Sequence, residues 1–334
     1  MEQRYKYEEK AVPFKQKSFQ IPESPDQATP KVFIFGNKGS DGRSEMVTID
    51  LKTQMPTHAM KIEKGYSGSI IYNPPTDTLY QPEDGQIIVH HLVKNQVMRL
   101  KHGEPSSKTG VPFKCLSRVC GDLVLLLDDQ NLVMINTNKT EFSKLEITEK
   151  GYENIDLVHT GGNTIAVLAR KLTDRSDGMV RVYDIINKEL LCMFRMEFKG
   201  NSASAISPKI FYNYSKKKGV VYRGAEAGDG ETQVIGVSTF DPVSKEVTSQ
   251  AFKIKAPSYD KPSMVAFSGY SNSLYLGTVT AKVFQIGLTQ GGFIGGLGTY
   301  NKLQRIATHP LWDGLLLLFK PEQGIMKLGF VSPK

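Results

Sequence analysis

The sequence of 334 residues has few of the features that mark secreted, membrane or metal-binding proteins. Its three cysteines, Cys115, Cys120 and Cys192, are too few for a disulfide framework and lack the paired spacing of a zinc site. Apolar runs such as 123–127 and 315–319 have the length of a strand, far below the ~18 residues of a membrane helix. The composition therefore predicts a soluble globular protein without membrane contact.

The N-terminus has no apolar region of the kind that a secretory signal requires. The first six residues, Met1-Glu2-Gln3-Arg4-Tyr5-Lys6, are mainly polar, and Glu8 and Glu9 argue against a mitochondrial transit peptide. We therefore expect a cytoplasmic protein, with the cytoskeleton or a cilium as candidate locations.

Motifs of catalysis and cofactor binding are also missing. Gly65-Tyr66-Ser67-Gly68 places a serine near glycines, but with the wrong spacing for a nucleophile elbow and no following helix. The glycine-rich segments 224–230 and 291–298 lack the lysine and hydroxyl residue of a phosphate loop. His90 and His91 are neighbours on a predicted strand and point to opposite faces. The sequence thus predicts no catalytic residue, no cofactor and no metal, and we expect a protein that is not an enzyme.

What the sequence does contain is a repeat of short apolar strands. We find no sustained helical periodicity, which disfavours an α/β fold. A β-rich strand follows a polar turn, a second strand comes next, and a further polar turn leads into another strand. The first of these strands recurs seven times, at 32–35, 78–80, 123–127, 164–169, 219–222, 273–276 and 315–319.

The second strand of each repeat gives the spacing. Its first residues are separated by 41, 45, 48, 54, 49 and 42 positions, close to the ~40–50 residues of a four-stranded propeller blade. Seven such positions predict an all-β fold, a seven-bladed β-propeller, with a pair of β-sandwiches as the alternative. The positions are Met46, Ile87, Leu132, Val180, Val234, Val283 and Ile325.

One segment carries a family resemblance. Asp177-Gly178-Met179-Val180-Arg181-Val182-Tyr183-Asp184-Ile185, followed by Asn187-Lys188-Glu189, resembles the blade signature of WD40-repeat proteins. Segment 241–246 is a looser match, and segment 32–50 is equally similar to a kelch blade. No blade has the Gly-His pair of the family, and Trp-Asp occurs once, at Trp312-Asp313, in a predicted turn. The resemblance therefore implies the architecture and assigns no functional residue.

The ends of the chain determine how a propeller would close. The last repeat ends after its third strand, so its fourth strand must come from the N-terminus or be absent. Residues 17–21 are the candidate, although they also suit the inner strand of the first blade. Residues 1–16 are predicted to form an extended arm, and residues 17–334 the single propeller domain. Deletion of 1–16 would then spare the fold, whereas deletion of 1–22 would destabilise it.

Charge suggests the kind of partner. The net charge is +8, and residues 1–30 contain five basic and five acidic side chains, so the excess lies on the globular body. A basic body suits a partner with an acidic surface. Candidate partner-binding residues lie in the arm and in one turn with its neighbouring tyrosines; they are Lys6, Lys10, Lys15, Tyr212, Tyr214, Lys216, Lys217 and Lys218.

Three functions remain open from the sequence. The leading one is a non-catalytic scaffold held in a large protein assembly, such as a cytoskeletal or axonemal lattice. The second is an RNA-binding component of a ribonucleoprotein, which would use Lys216, Lys217 and Lys218 beside the tyrosines. The third is an enzyme with a site at the mouth of the propeller channel, which a convergent set of ionisable groups would reveal.

Overall fold

The computed structural model is built of β-strands. It describes residues 5–12, 16–20, 31–38, 44–62, 71–73, 76–83, 86–101, 115–119, 123–127, 131–136, 141–147, 149–199, 206–289, 294–309, 312–320 and 326–333. Within these ranges there is no α-helix. The strands form seven antiparallel sheets of four strands each, and the chain divides into two compact units.

The first unit comprises residues 1–112 and 300–334 and contains three of the sheets. In one sheet the order is β2, β3, β4, β5, in the next β6, β7, β8, β9, and in the third β26, β27, β28, β1. The strands are β1 (Tyr5–Val12), β2 (Gln16–Gln20), β3 (Lys31–Lys38), β4 (Ser44–Asp50), β5 (Pro56–Ile62), β6 (Ile71–Asn73), β7 (Thr78–Glu83), β8 (Gln86–His91), β9 (Gln96–Lys101), β26 (Leu303–His309), β27 (Trp312–Phe319) and β28 (Met326–Pro333).

The second unit comprises residues 113–299 and contains four sheets, each formed by consecutive strands. The strands are β10 (Cys115–Val119), β11 (Leu123–Leu127), β12 (Asn131–Asn136), β13 (Glu141–Glu146), β14 (Tyr152–Gly161), β15 (Thr164–Lys171), β16 (Asp177–Asp184), β17 (Glu189–Glu197), β18 (Lys209–Asn213), β19 (Lys218–Ala227), β20 (Gln233–Phe240), β21 (Val247–Ile254), β22 (Pro262–Ser268), β23 (Ser273–Thr278), β24 (Lys282–Gly287) and β25 (Ile294–Thr299).

The predicted repeat is the repeat of these sheets. The seven recurring apolar strands are the second strands of the seven sheets, and six of the seven spacing positions lie in the third strands. The seventh, Ile325, lies outside the described residues. The middle strand β15 is a continuous apolar run because both of its faces are covered by neighbouring sheets of the second unit. In β15, residues 165–169 are fully buried.

The prediction of an N-terminal arm over residues 1–16 is wrong for residues 5–12. These residues form β1, which pairs antiparallel with β28 from Tyr5 opposite Pro333 to Val12 opposite Met326. The segment is polar because an outer strand of a sheet needs only one covered face. Residues 17–20 belong to β2, the inner strand of the first sheet, so their assignment to the last sheet is wrong and the alternative is confirmed.

Adjacent sheets pack face to face around apolar clusters. In the second unit, Val182, Phe194 and Met196 of one sheet pack against Val221 and Phe240 of the next. Burial of side chains of this size contributes ~1.5–3 kcal/mol each. These clusters hold the turns at the sheet ends in fixed positions relative to their neighbours within the unit.

A buried carboxylate joins two inner strands of the second unit. Asp156 of β14 accepts a hydrogen bond from the backbone N–H of Ile210 in β18 at 3.0 Å and another from its neighbour Leu157 at 3.1 Å. Lys209 adds an ion pair at 3.9 Å. Charged hydrogen bonds of this kind compensate the cost of burying the carboxylate, so Asp156 links the inner edges of two sheets.

Burial of His309 in β26 predicts a pH dependence of stability in the first unit. The side chain is 1% exposed, and burial lowers its pKa from 6.5 to about 4. Because the unfolded chain binds the proton at higher pH than the folded chain, stability is complete above pH ~6.5 and falls as the pH drops toward ~4. We expect a loss of about 1 kcal/mol between pH 7 and 5.5, and about 2–3 kcal/mol by pH 4.5.

Urea unfolding of the wild type and of His309→Gln at these pH values measures this effect. The variant lacks the titrating group, so its stability should vary less over the same interval. Parallel pH profiles for the two proteins would contradict the assignment.

Candidate partner-binding surface

The most distinctive surface of the second unit is the turn between β18 and β19, residues 213–218. Lys216, Lys217 and Lys218 are all exposed. The Asn213 side-chain oxygen accepts hydrogen bonds from the Ser215 hydroxyl at 2.7 Å and from the Lys216 N–H at 3.2 Å. Lys217 has a φ of 53°, so the chain reverses sharply there. The asparagine cap thus fixes the backbone from which three ammonium groups project.

Neighbouring turns support this one from both sides. The Tyr214 hydroxyl donates to the backbone carbonyl of His159, at the end of β14, at 3.1 Å. On the other side, the Asn213 amide donates to the side-chain oxygen of Asn272, in the turn before β23, at 2.8 Å. Three successive inner turns of the unit are therefore tied together by side chains, and we name residues 213–218 the braced turn.

The two predicted tyrosines support the turn instead of offering free ring faces. Tyr212 and Tyr214 pack edge to face with centroids 5.1 Å apart, and both are half-buried. Burial raises the pKa of the Tyr212 hydroxyl, and the charge of Asp241 raises it further. The structure thus brings together Tyr212, Tyr214 and the three lysines, but gives the tyrosines a structural role.

An exposed aromatic residue that the sequence reading did not select lies beside the braced turn. Tyr270 is 68% exposed and belongs to the turn that precedes β23. Gly269 in the same turn lies against Asn213, since a Cβ there would be 3.7 Å from the asparagine oxygen. The sequence did contain a signal for this exposed residue. It was a tyrosine in a turn that has no apolar neighbours in sequence to cover it.

The lysines predicted for the arm lie elsewhere. Lys6 is exposed on β1 and forms an ion pair with Glu8. Lys10 is on the same strand, opposite Leu328, and Lys15 lies outside the described residues. The structure therefore does not place Lys6 and Lys10 on a projecting arm, because both belong to a paired strand in the first unit.

The aspartates at the ends of two third strands, and directly after a further one, have a structural role. Asp50, Asp184 and Asp241 each accept two backbone N–H groups of the following turn at 2.7–3.1 Å. These hydrogen bonds lower the pKa of Asp184 and Asp241. A residue with positive φ completes each turn; these residues are Gln54, Lys188 and Lys245. The segment that resembles a WD40 blade has this strand–turn–strand geometry.

A shallow cavity in the second unit is the alternative site. It has a volume of about 380 Å³ and is lined by Ser176, Asp177, Arg195, Met196 and Glu197. The Tyr152 hydroxyl donates to Asp177 at 2.8 Å, and burial, followed by this carboxylate, raises the pKa of the hydroxyl. Opposite charges face each other here, and the Ser176 hydroxyl donates to Asp174 at 2.6 Å, but no histidine lies among the lining residues, so the cavity does not assemble a serine–histidine pair.

Two further observations concern other functions. Among the described residues, no group of three or more His, Cys, Asp or Glu side chains is placed to hold a metal ion. The described ranges also contain no helix that is long and apolar enough to cross a membrane. The predicted serine turn, 65–68, lies outside the described residues.

Comparison with known proteins identifies the fold. No protein-family model and no curated protein matches the sequence. Among solved structures, the chain is similar to the Cps50 (Swd1) β-propeller domain of Myceliophteria thermophila, with a TM-score of 0.65, 12% identity and coverage of 97% of this chain and 99% of that one. It is also similar to the WD40 domain of coronin from Toxoplasma gondii, with a TM-score of 0.58, 10% identity and coverage of 98% and 87%.

An enzyme has the same fold. Hydrazine synthase of Kuenenia stuttgartiensis matches with a TM-score of 0.65, 14% identity and coverage of 94% of both chains. At such low identity these likenesses concern architecture alone. They establish an all-β, WD40-like β-propeller and exclude the alternative of paired sandwiches.

Proposed function

We propose that this WD40-like β-propeller is a non-catalytic scaffold that binds other proteins within a larger assembly. The observation that carries the proposal is the braced turn, which presents three lysines on a backbone held by its neighbours on both sides. Such a preorganised surface favours binding because little conformational entropy remains to be lost. Propellers of this type generally serve as binding platforms.

The proposal includes the arrangement of the whole chain. We infer that the seven four-stranded sheets are the seven blades of one propeller, and that residues 5–12 close the ring by completing the last blade. Pairing of β1 with β28 in one sheet supports this inference. Closure of this kind pairs the outer edge of β28, and the edges that a propeller keeps are short and protected, so the outer strands with the turns remain for contact with partners.

We further propose acidic partners in the cytoplasm, with a cytoskeletal or axonemal lattice as the candidate assembly. The net charge of +8 supports this choice, because long-range attraction accelerates association with surfaces of opposite sign. Salt weakens such attraction, so the association should weaken as ionic strength rises.

Crosslinking mass spectrometry on the native protein in a gentle extract tests the scaffold proposal. We expect reproducible crosslinks from Lys216, Lys217 or Lys218 to one protein assembly. Lys150 and Lys255, which are also exposed, are the comparison within the same unit. Crosslinks confined to the chain itself, from a protein that elutes alone, would reject the scaffold and direct the search to a substrate.

A further inference from the structure

The geometry points to a binding site for an acidic peptide segment, formed by the braced turn and Tyr270. This inference rests on the proposed scaffold function and names the surface and the chemistry of the partner. The occupant we propose is an extended segment of another protein that is rich in Asp and Glu and carries an apolar residue among them.

Charge is the first argument. The ion pairs formed by described lysines of this unit involve Lys171, Lys199, Lys209, Lys253 and Lys282, and none of them involves the lysines of the braced turn. Among the residues that the structure describes, these three adjacent cations have no close ion-pair partner, and they stand on one exposed reversal of the chain. Carboxylates of a partner would supply the missing opposite charge.

One acid that attracts a lysine of the turn, Asp241, compensates the positive charge only in part. Asp241 attracts Lys218 through space, but its carboxylate also accepts the N–H groups of Val243 at 2.8 Å and Ser244 at 3.1 Å. These hydrogen bonds fix the carboxylate on its own turn. The braced turn therefore keeps a net positive charge, which a flexible acidic segment can neutralise.

Rigidity is the second argument. Asn213 caps the Lys216 N–H and also binds Asn272, while Tyr214 binds the carbonyl of His159. The three lysine backbones are thus positioned before any partner arrives. Binding then costs mainly the side-chain entropy of the lysines that become immobile.

The aromatic residues favour a peptide over RNA. Single-stranded nucleic acid is bound by stacking bases on open ring faces, but Tyr212 and Tyr214 are half-buried and packed against each other. Tyr270 alone offers an exposed ring in the neighbouring turn, which suits one apolar side chain of a peptide.

Fluorescence anisotropy with the purified full-length protein tests the site. The probe is a fluorescein-labelled peptide made of two Asp-Glu-Glu-Leu-Glu-Glu repeats, and its control has Asn and Gln in place of Asp and Glu. We expect saturable binding of the acidic probe only. The combined change Lys216→Gln, Lys217→Gln and Lys218→Gln should weaken it about tenfold, from roughly 0.5 kcal/mol per exposed pair.

A matched variant separates the site from net charge. Lys150→Gln, Lys253→Gln and Lys255→Gln remove the same charge at the opposite ends of the same sheets, and binding should change by less than about twofold. Tyr214→Phe keeps every lysine and removes one hydrogen bond of the brace, so we expect binding weakened about twofold to threefold. Equal losses in the two triple variants, or no binding of the acidic probe at all, would overturn the site.

Competing occupants give different results. If labelled oligouridylate binds more tightly than the acidic peptide and the braced-turn variant abolishes that binding, the site is one for RNA and the peptide proposal is wrong. If the peptide fails while crosslinks to a protein assembly arise from other surfaces, the scaffold function stands and only this site is rejected.

Discussion

Removal of residues 1–12 is expected to lower the free energy of unfolding by about 3–5 kcal/mol, a large share of the ~5–15 kcal/mol of a typical domain. The deletion removes β1, and with it the eight residue pairs that join it to β28. Each ladder hydrogen bond contributes ~1 kcal/mol net, and the ordering cost of the released strand offsets part of that sum.

Tyr7 is expected to account for part of the loss. Its ring lies 5.3 Å from that of Tyr300 and so close to Gly329 that a Cβ there would be 2.7 Å from the tyrosine ring. Without β1, Tyr300 and Gly329 lose their contact with the Tyr7 ring, and β28 becomes a free edge that can pair with other chains. The deletion should therefore also increase light scattering on warming.

Urea unfolding of the truncated protein measures the effect, with deletion of residues 1–4 as the matched control. The shorter deletion leaves all of β1 in place and should behave as the wild type. Equal unfolding midpoints for the two truncations would show that β1 does not stabilise the sheet.

Gly224→Ala is expected to destabilise the second unit by about 3 kcal/mol or more, because two backbones touch at this position. Gly224 lies at an irregularity of the β19–β20 pairing with φ +109°, and an added Cβ would lie 2.2 Å from the carbonyl oxygen of Lys199. The backbone at Lys199 cannot easily move away from the added Cβ, because the Lys199 N–H donates to the carbonyl of Arg223 at 2.7 Å.

Two glycine controls separate the causes of this loss. Gly162→Ala has a positive φ, +55°, with open space around it, and should cost about 1 kcal/mol from backbone strain alone. Gly296 has neither a positive φ nor a close neighbouring atom, so Gly296→Ala should leave the stability almost unchanged. Thermal unfolding gives the comparison, with about 2–4 °C expected per kcal/mol for a unit of this size. A Gly224→Ala protein as stable as Gly296→Ala would contradict the close approach.

The sequence predicted the middle strands of the sheets well. Such strands are covered on both faces, so they appear as short apolar runs bounded by turn residues. Residues 123–127 and 315–319 are examples that became parts of β11 and β27. The spacing of these runs predicted the repeat, and the repeat predicted the β-propeller architecture.

The outer strands and the hydrogen bonds of the braced turn could not be predicted from apolar runs. The strand Tyr5–Val12 is polar because its outer side faces solvent, and only its pairing with β28 distinguishes it from an unstructured segment. The braced turn depends on pairs such as Asn213 with Asn272 and Tyr214 with His159, which are more than fifty positions apart. Hydrogen bonds over such distances follow from packing of whole sheets and leave no local pattern.

The pairing of the first strand with the last one has a consequence for synthesis. β28, the partner of β1 in the sheet, is synthesised more than 300 residues after β1. At ~5–20 residues per second this interval is roughly fifteen seconds to one minute. During that time the nascent chain carries an unpaired strand at its front end. The sheet that β1 completes can therefore form only once β28 has left the ribosome, and holding factors that bind nascent chains have that interval in which to act.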